Sequence, residues 1–307
     1  MCLVSIIMST YKEKESFLRQ AIESILNQTY ENFEYIIILD NPNNNLHKEI
    51  IQQYATRDKR IKFYINEKNL GLTESLNKGL ELSKGKYICR MDADDVSTYN
   101  RLEMQKKYLE KNEYDLIGGI SQMIDESGKS IYSIKKVPTD MNKIKKALRY
   151  NQIISHPTWF GKKEVFDKLN GYRNMPLCED YDFTLRAVLK GFKISNINEL
   201  VLKYRITTSS ISRNNLFEQY LYAKYITKKY YKKEIADIEE AQYYVNNYNN
   251  EKRAKRYIKA NKRFNIALRD IEEKKYLKFI KDCFLLLFTS KQYLDKIYRF
   301  AKVTFYS

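Results

Sequence analysis

The sequence predicts an α/β protein: a mostly parallel β-sheet with helices on both faces, followed by a helical C-terminal region. Three observations carry that prediction. Within residues 1–90, four short apolar runs alternate with three helical stripes. Polar clusters follow these runs at Ser9-Thr10-Tyr11, Asp40-Asn41 and Asp92-Ala93-Asp94-Asp95, the strand ends where an open parallel sheet binds its ligands. All nine glycines and all four prolines lie at or before Gly191, so the last 116 residues contain neither helix breaker.

The elements follow in order. Leu3–Met8 reads as the first strand. From Glu15 to Asn27, Phe17, Leu18, Ala21, Ile22, Ile25 and Leu26 make one helical stripe. Phe33–Leu39 is a second, β-branched strand, His47–Thr56 a helix, and Ile61–Ile65 an alternating third strand. Leu72, Leu76 and Leu80 keep step in a helix over Leu72–Leu82, closed by Gly85. Tyr87–Arg90 is the fourth strand and delivers the acids of 92–95 at its carboxyl end. Tyr99–Lys111 is helical, and Asp115–Met123 with Ser130–Ile134 forms a hairpin about Asp125–Lys129. Thr139–Arg149 is helical, and Ile153–Gly161 is strand-like and holds the single tryptophan, Trp159. A short helix over Lys163–Leu169 stops at Asn170-Gly171-Tyr172. Cys178-Glu179-Asp180-Tyr181-Asp182-Phe183 opens a helix running to Lys190, and Ile194–Arg205 is extended. From Asn214 onward the chain reads as successive helices rich in Lys and Tyr. The expected division is a sheet domain over 1–212 and a basic helical region over 213–307; with no flexible linker between them, the second is expected to pack on the first.

Composition narrows the function. A 307-residue chain with 43% hydrophobic residues can bury a substantial core, which excludes a disordered protein. Residues 211–307 hold 22 Lys+Arg against 11 Asp+Glu, and residues 1–210 hold 33 against 27, so most of the net +17 sits in the tail. Such an excess suits nucleic acid, anionic lipid or phosphate-rich ligands without choosing among them. The four cysteines, at 2, 89, 178 and 283, form no CxxC pair and read as reduced thiols of a cytosolic protein. A strand-like run begins almost at Met1 without a basic leader, so no secretory signal is expected. The longest apolar run, Cys283–Phe288, is six residues, far short of the roughly 20 that span a bilayer.

Three constellations could carry chemistry. Asp92, Asp94 and Asp95 crowd three charges that a hard divalent cation such as Mg²⁺ or Mn²⁺ would relieve, or they form a solvated cap of the next helix. Glu179, Asp180 and Asp182 open a helix, where the macrodipole favours acids; a carboxylate held there in a crevice could also take a proton from a sugar hydroxyl. Of the two histidines, His47 reads as a surface residue, and His156 as either a buried hydrogen-bonded ring or a ligand or substrate contact. There is no HExxH motif and no P-loop, which argues against a P-loop NTPase.

Taken together, the segments resemble an inverting glycosyltransferase of family 2 with a GT-A fold. They are Val4-Ser5-Ile6-Ile7-Met8-Ser9-Thr10-Tyr11, Ser24-Ile25-Leu26-Asn27-Gln28-Thr29-Tyr30, Asn69-Leu70-Gly71, Asn77-Lys78-Gly79, and Gly85-Lys86-Tyr87-Ile88 before Asp92-Ala93-Asp94-Asp95. His156-Pro157, Gly171-Tyr172, Glu179-Asp180-Tyr181-Asp182-Phe183-Thr184-Leu185-Arg186 and Tyr204-Arg205 continue the match, which covers roughly residues 3 to 212. The resemblance implies that Ser9, Thr10, Tyr11 and Asp40 line a nucleotide pocket together with Asn41. It implies that Asp92 faces the ribose or a metal-bound water, and that Asp94 coordinates Mn²⁺ or Mg²⁺ on the diphosphate of a nucleotide sugar, with uracil the expected base. Asp180 would be the general base, and Glu179, His156, Trp159 and Asp95 are candidate substrate contacts. Two departures stand out. Asn41 occupies a position that usually holds a second acid, and Ile206-Thr207-Thr208-Ser209 lacks a histidine that often completes the metal site.

The implied partners are a nucleotide-sugar donor and a glycan or polyprenyl-diphosphate-linked acceptor, with no nucleic acid. In the tail, Tyr293, Leu294, Ile297, Tyr298, Ala301 and Phe305 share one helical arc and Lys291, Asp295, Lys296, Arg299 and Lys302 the other. Tyr276-Leu277, Phe279-Ile280 and Phe284–Phe288 add apolar surface beside Lys274, Lys275, Lys278 and Lys281. Such helices suit the inner face of a plasma membrane, or they pack on the catalytic domain or a second copy in a homo-oligomer. Two rival functions are a polyanion-binding protein acting through the tail and a sugar-nucleotide pyrophosphorylase; the first strand lacks the glycine-rich loop that the latter usually carries.

Overall fold

The computed structural model describes residues 3–133, 136–207, 215–272 and 274–306. Cys2, Ile134, Thr208, Ser209, Ser212 and Asn214 lie outside the described residues. Two compact units are present, one drawn from residues 1–145, 152–174 and 179–208, the other from 146–151, 175–178 and 209–307.

The first unit is built on a nine-stranded sheet. Its strands are β1 (Val4–Thr10), β2 (Phe33–Leu39), β3 (Ile61–Ile65), β4 (Tyr87–Asp92), β5 (Val96–Ser97), β6 (Leu116–Ile124), β7 (Ser130–Ser133), β8 (Phe160–Lys162) and β9 (Ile194–Arg205). Their order is β3-β2-β1-β4-β8-β6-β9-β5, with β7 paired to β6. The run β3-β2-β1-β4 is parallel; β8 lies antiparallel between β4 and β6, and β6 and β9 again run parallel. Six strands therefore share one direction, the mostly parallel sheet that the βαβ alternation predicts.

Alternation along β1 fixes the two faces. Val4, Ile6 and Met8 join one core with Leu18, Ala21, Ile22 and Ile25 of α1 (Glu15–Leu26), Ile50 and Ile51 of α2 (Asn45–Arg57), and Leu102 and Leu109 of α4 (Arg101–Lys111). Ile7 points the other way, onto Gly79 of α3 (Leu72–Leu82), where an added Cβ would lie 2.4 Å from Ile7 Cγ2. Beyond α4 come α5 (Met141–Ala147), α6 (Lys163–Lys168) and α7 (Glu179–Leu189).

Two sequence expectations change. The strand-like segment at 153–161 is instead a 3₁₀ turn, His156–Thr158, followed by the three residues of β8. Pro157 explains this, since it has no N–H for a sheet ladder but suits the first positions of a tight turn. His47, expected at the surface, is 1% exposed. Asn44 caps α2 by accepting from His47 N at 3.1 Å. The ring, turned inward, then meets Thr10 Oγ1 at 3.0 Å and the Glu13 carbonyl at 2.8 Å.

The second unit is helical: α8 (Leu216–Tyr231), α9 (Ile238–Tyr248), α10 (Glu251–Glu272), α11 (Tyr276–Thr289) and α12 (Lys291–Tyr306). Its core is aromatic. Tyr257 sits 5.2 Å from Phe217, 5.3 Å from Tyr220 and 5.2 Å from Tyr293 by ring centroid. Arg299 pins it by donating to Asp295 at 3.0 Å, to the Tyr150 carbonyl at 3.2 Å and to Thr227 at 3.0 Å. The arc foreseen on α12 is consequently divided. Tyr293 is buried and hydrogen-bonded to Asn261, whereas Tyr298 and Phe305 stay exposed. The described cysteines, Cys89, Cys178 and Cys283, form no disulfide.

Candidate active site

Parallel register carries the polar clusters to one edge of the sheet. Ser9 is the direct partner of Asp92 across β1 and β4, and Thr10 pairs with Leu39, next to Asp40. Ser9 is half-buried, Thr10 buried and Tyr11 37% exposed.

The acidic loop is held from below. Asp92 and Asp94 are half-buried and Asp95 fully buried, and one oxygen from each lies within 4.8 Å of the others. Burial, and then the charges of Asp92 and Glu13, push the Asp94 carboxyl up to about 7. Asp95 is also raised well above the carboxylate range by burial and its two neighbours. One Asp95 oxygen accepts from Arg205 N at 2.8 Å; the other has no hydrogen-bond partner. Arg205 completes the frame: it donates to the Asp94 carbonyl at 2.8 Å, to Gln20 at 2.6 Å and to the carbonyls of Asp125 and Glu126, and it lies 4.2 Å from the Phe17 ring centroid. Converging carboxylates with raised affinity for positive charge and an unpartnered buried oxygen fit a hard divalent cation. Asp94 and Asp92 are the residues able to hold it, with Asp95 behind them.

A buried arginine joins this loop to the second acidic cluster. Arg90, 4% exposed on β4, pairs through Nη1 with Asp92, while its Nε has no hydrogen-bond partner. Its charge is also felt by Glu179, Asp180, His156 and Tyr172. Glu179 and Asp180 stand half-buried at the first turn of α7. Burial and then the Asp180 charge push Glu179 up to about 7, and burial raises Asp180 against the opposing bond from Tyr181 N at 2.7 Å. Asp182, by contrast, turns into the fold, paired with Arg173 and, at 2.8 Å, with Arg186.

Asp40 and Trp159 sit differently from expectation, whereas His156 takes the buried, hydrogen-bonded place that was one of its two readings. Asp40 is enclosed at its strand end. It is 3% exposed, and one oxygen accepts from Leu70 N and from the Asn66 amide while the other accepts from Gly71 N, all at 2.8 Å. It therefore shapes the 66–71 loop, and half-buried Asn41, whose Nδ2 donates to the Tyr11 carbonyl at 3.4 Å, is the amide nearer the surface. Trp159 is a core residue. It is 0% exposed, donates to the Ile154 carbonyl at 3.0 Å, and stacks on Tyr172 at 6.1 Å. His156 is buried with Nε2 2.8 Å from the Tyr172 hydroxyl, and burial beside Arg90 keeps it neutral. A wholly buried Asp95 supports its neighbours rather than reaching a substrate. Arg90 and Glu13 were not singled out from the sequence; a lone arginine within an apolar strand was the available signal for the first. Glu13 gave none, since its contact with Thr10 at 2.6 Å needs the turn after β1.

A mostly parallel sheet with acids at the carboxyl end of its fourth strand and a carboxylate pair opening α7 is an architecture of the GT-A kind. Glycosyl transferase family 2 matches residues 5–170, more than half of the chain, and the chain belongs to that family. An uncharacterized glycosyltransferase of Methanocaldococcus jannaschii, MJ1057, is 40% identical over 75% of this chain and 80% of its own length. The O-antigen biosynthesis glycosyltransferase WbnJ of Escherichia coli is 34% identical over 75% of this chain and 90% of its own. In fold, the chain is similar to S. aureus TarS 1–349 in complex with UDP-GlcNAc, with a TM-score of 0.58 at 17% identity over 79% of this chain and 70% of that one. It is likewise similar to the mannosyltransferase PcManGT of Pyrobaculum calidifontis in complex with GDP-Man and Mn²⁺, with a TM-score of 0.59 at 15% identity over 79% and 69%.

Proposed function

We propose that this glycosyltransferase inverts the anomeric centre as it moves a sugar from a nucleotide donor, UDP-linked by preference, onto a glycan or polyprenyl-diphosphate-linked glycan of a surface polysaccharide. The observation that carries the reading is the placement of two acidic clusters, 92–95 and 179–180, within reach of the buried Arg90 guanidinium. The relative WbnJ, named for O-antigen biosynthesis, supports the acceptor class. The fold neighbours, seen with UDP-GlcNAc and with GDP-Man and Mn²⁺, support a nucleotide-sugar donor and a divalent metal.

In this reading Asp180 accepts the acceptor hydroxyl's proton while that oxygen bonds to the anomeric carbon opposite the diphosphate, whose C–O bond breaks. Arg90 holds Asp92 in place and keeps the neighbouring carboxylates from sharing too many protons. Ser9, Thr10 and Tyr11 flank the nucleotide; Asn41, able to donate and accept, meets the base. A divalent cation at Asp94 would supply charge neutralisation of the leaving diphosphate.

The test is a panel of nucleotide sugars assayed with Mn²⁺, Mg²⁺ and a chelator. Metal-dependent donor hydrolysis should disappear in Asp94→Ala. In Asp180→Ala, transfer should fall by about 10²–10⁴-fold while donor binding persists. Normal transfer by Asp180→Ala would overturn the base assignment.

A further inference from the structure

The face of α11 that the helical unit leaves uncovered has one chemical character. Tyr276, Leu277, Ile280, Phe284, Leu287 and Phe288 are exposed by 54% to 85%. At about 100° per residue these six positions fall within about 120° of the helical wheel, opposite buried Leu286. They form a continuous apolar stripe about four turns long, not scattered side chains.

Its border is basic. Lys278 and Lys281 are exposed along one flank of the stripe, exposed Lys274 and Lys275 precede its first turn, and exposed Lys291 follows its last. Within 274–291 the single acid is Asp282, which is turned from the stripe and paired with Arg263 at 3.3 Å. No helix among the described residues is long and apolar enough to cross a membrane. A helix with an apolar stripe, lysines beside it and too little length to span is built to lie in a bilayer interface.

We propose that α11 docks the chain onto an anionic lipid surface, the stripe entering the headgroup boundary and the lysines meeting lipid phosphates. Charge complementarity chooses this occupant over a second copy. An anionic surface meets the stripe and its lysines together, whereas a second copy of the segment offers no unpaired acid to receive those lysines. The inference goes beyond sugar transfer and stands on the helical unit alone.

The test is flotation of the full chain with vesicles of phosphatidylcholine, or of phosphatidylcholine containing about one third phosphatidylglycerol. The chain should float with the anionic vesicles and not the neutral ones, and raised salt should weaken that binding. Leu277→Glu/Phe288→Glu and Lys274→Glu/Lys278→Glu/Lys281→Glu should each reduce it by at least about tenfold. Tyr243→Glu, at an equally exposed aromatic on α9, should leave it unchanged. All of these positions are exposed, so unchanged melting by circular dichroism will show that the variants fold. That readout, with donor hydrolysis measured separately, keeps failure of lipid docking distinct from failure of the transfer reading. The proposal is overturned if the wild-type chain ignores anionic vesicles, or if either charge-altering variant binds them as well as the wild type. It is also overturned if the wild type forms a dimer that Leu277→Glu/Phe288→Glu dissociates.

Discussion

At the scale of single residues, Glu179 and Asp180 are two carboxylates sharing one low-dielectric corner, so they titrate as a pair. With Glu179 pushed up to about 7, the folded chain holds that proton more tightly than the unfolded chain, whose ordinary value is 4.5. Its contribution to stability is therefore present below the ordinary value and lost as pH rises through about 7. Glu179→Gln should accordingly be near neutral at pH ~5 and stabilising at pH ~8, by at most about 2 kcal/mol after water screening. Denaturant melts at the two pH values measure this, and a variant no more stable at the higher pH would show the pair to be solvated. Transfer should rise with pH through the same region, as the pair gives up its proton and Asp180, the base we propose, becomes available. Asp40 offers a contrasting case. Its carboxylate holds three donors inside the fold, so Asp40→Ala should cost about 2–4 kcal/mol and release the 66–71 loop, seen as a lower thermal midpoint together with weaker donor binding.

At the scale of elements, the strand pattern was legible because β-branched runs and polar strand ends obey local rules. The segment at 153–161 was not, because Trp159 and Phe160 gave it an apolar, strand-like look while Pro157 imposed a turn. The clamp after α6 depends on partners 95 residues apart. Asn77 on α3 donates to the Tyr172 carbonyl at 2.9 Å and accepts from Tyr172 N at 2.8 Å. Gly171 makes room for it with φ of 66°, and an added Cβ would lie 2.4 Å from Asn77 Oδ1. Gly171→Ala should therefore destabilise the sheet unit by roughly 1–3 kcal/mol. It should also disturb the Tyr172–His156 bond beside Arg90; urea unfolding checks the first effect, and an altered pH profile of transfer the second.

At the scale of the whole chain, composition announced a basic tail but could not say which apolar residues that tail keeps for itself. Periodicity on α12 promised one continuous arc, yet Tyr293 is taken into the aromatic core by Tyr257 and Asn261, contacts made by residues on another helix. The acidic site was legible as a cluster and illegible as an arrangement. Nothing near Asp92 in sequence foretells that Arg205, more than a hundred residues away, frames the loop. A chain that crowds three acids should gain stability when a cation is added. Mn²⁺ at about 100 times its dissociation constant would add about 2.7 kcal/mol to folding. A thermal midpoint raised by several degrees in the wild type and unmoved in Asp94→Ala would bear that out.

The arginine at the end of β9 has one further consequence. Its guanidinium grips the backbone of the acidic loop on one side and the carbonyls of Asp125 and Glu126, at the hairpin tip, on the other. Whatever settles the loop also settles the tip, and by thermodynamic reciprocity whatever grips the tip tightens the loop. Occupancy by donor and metal should thus slow amide exchange across 125–130. Arg205→Lys, too short and too simple a head to reach both, would uncouple the two ends while leaving each intact.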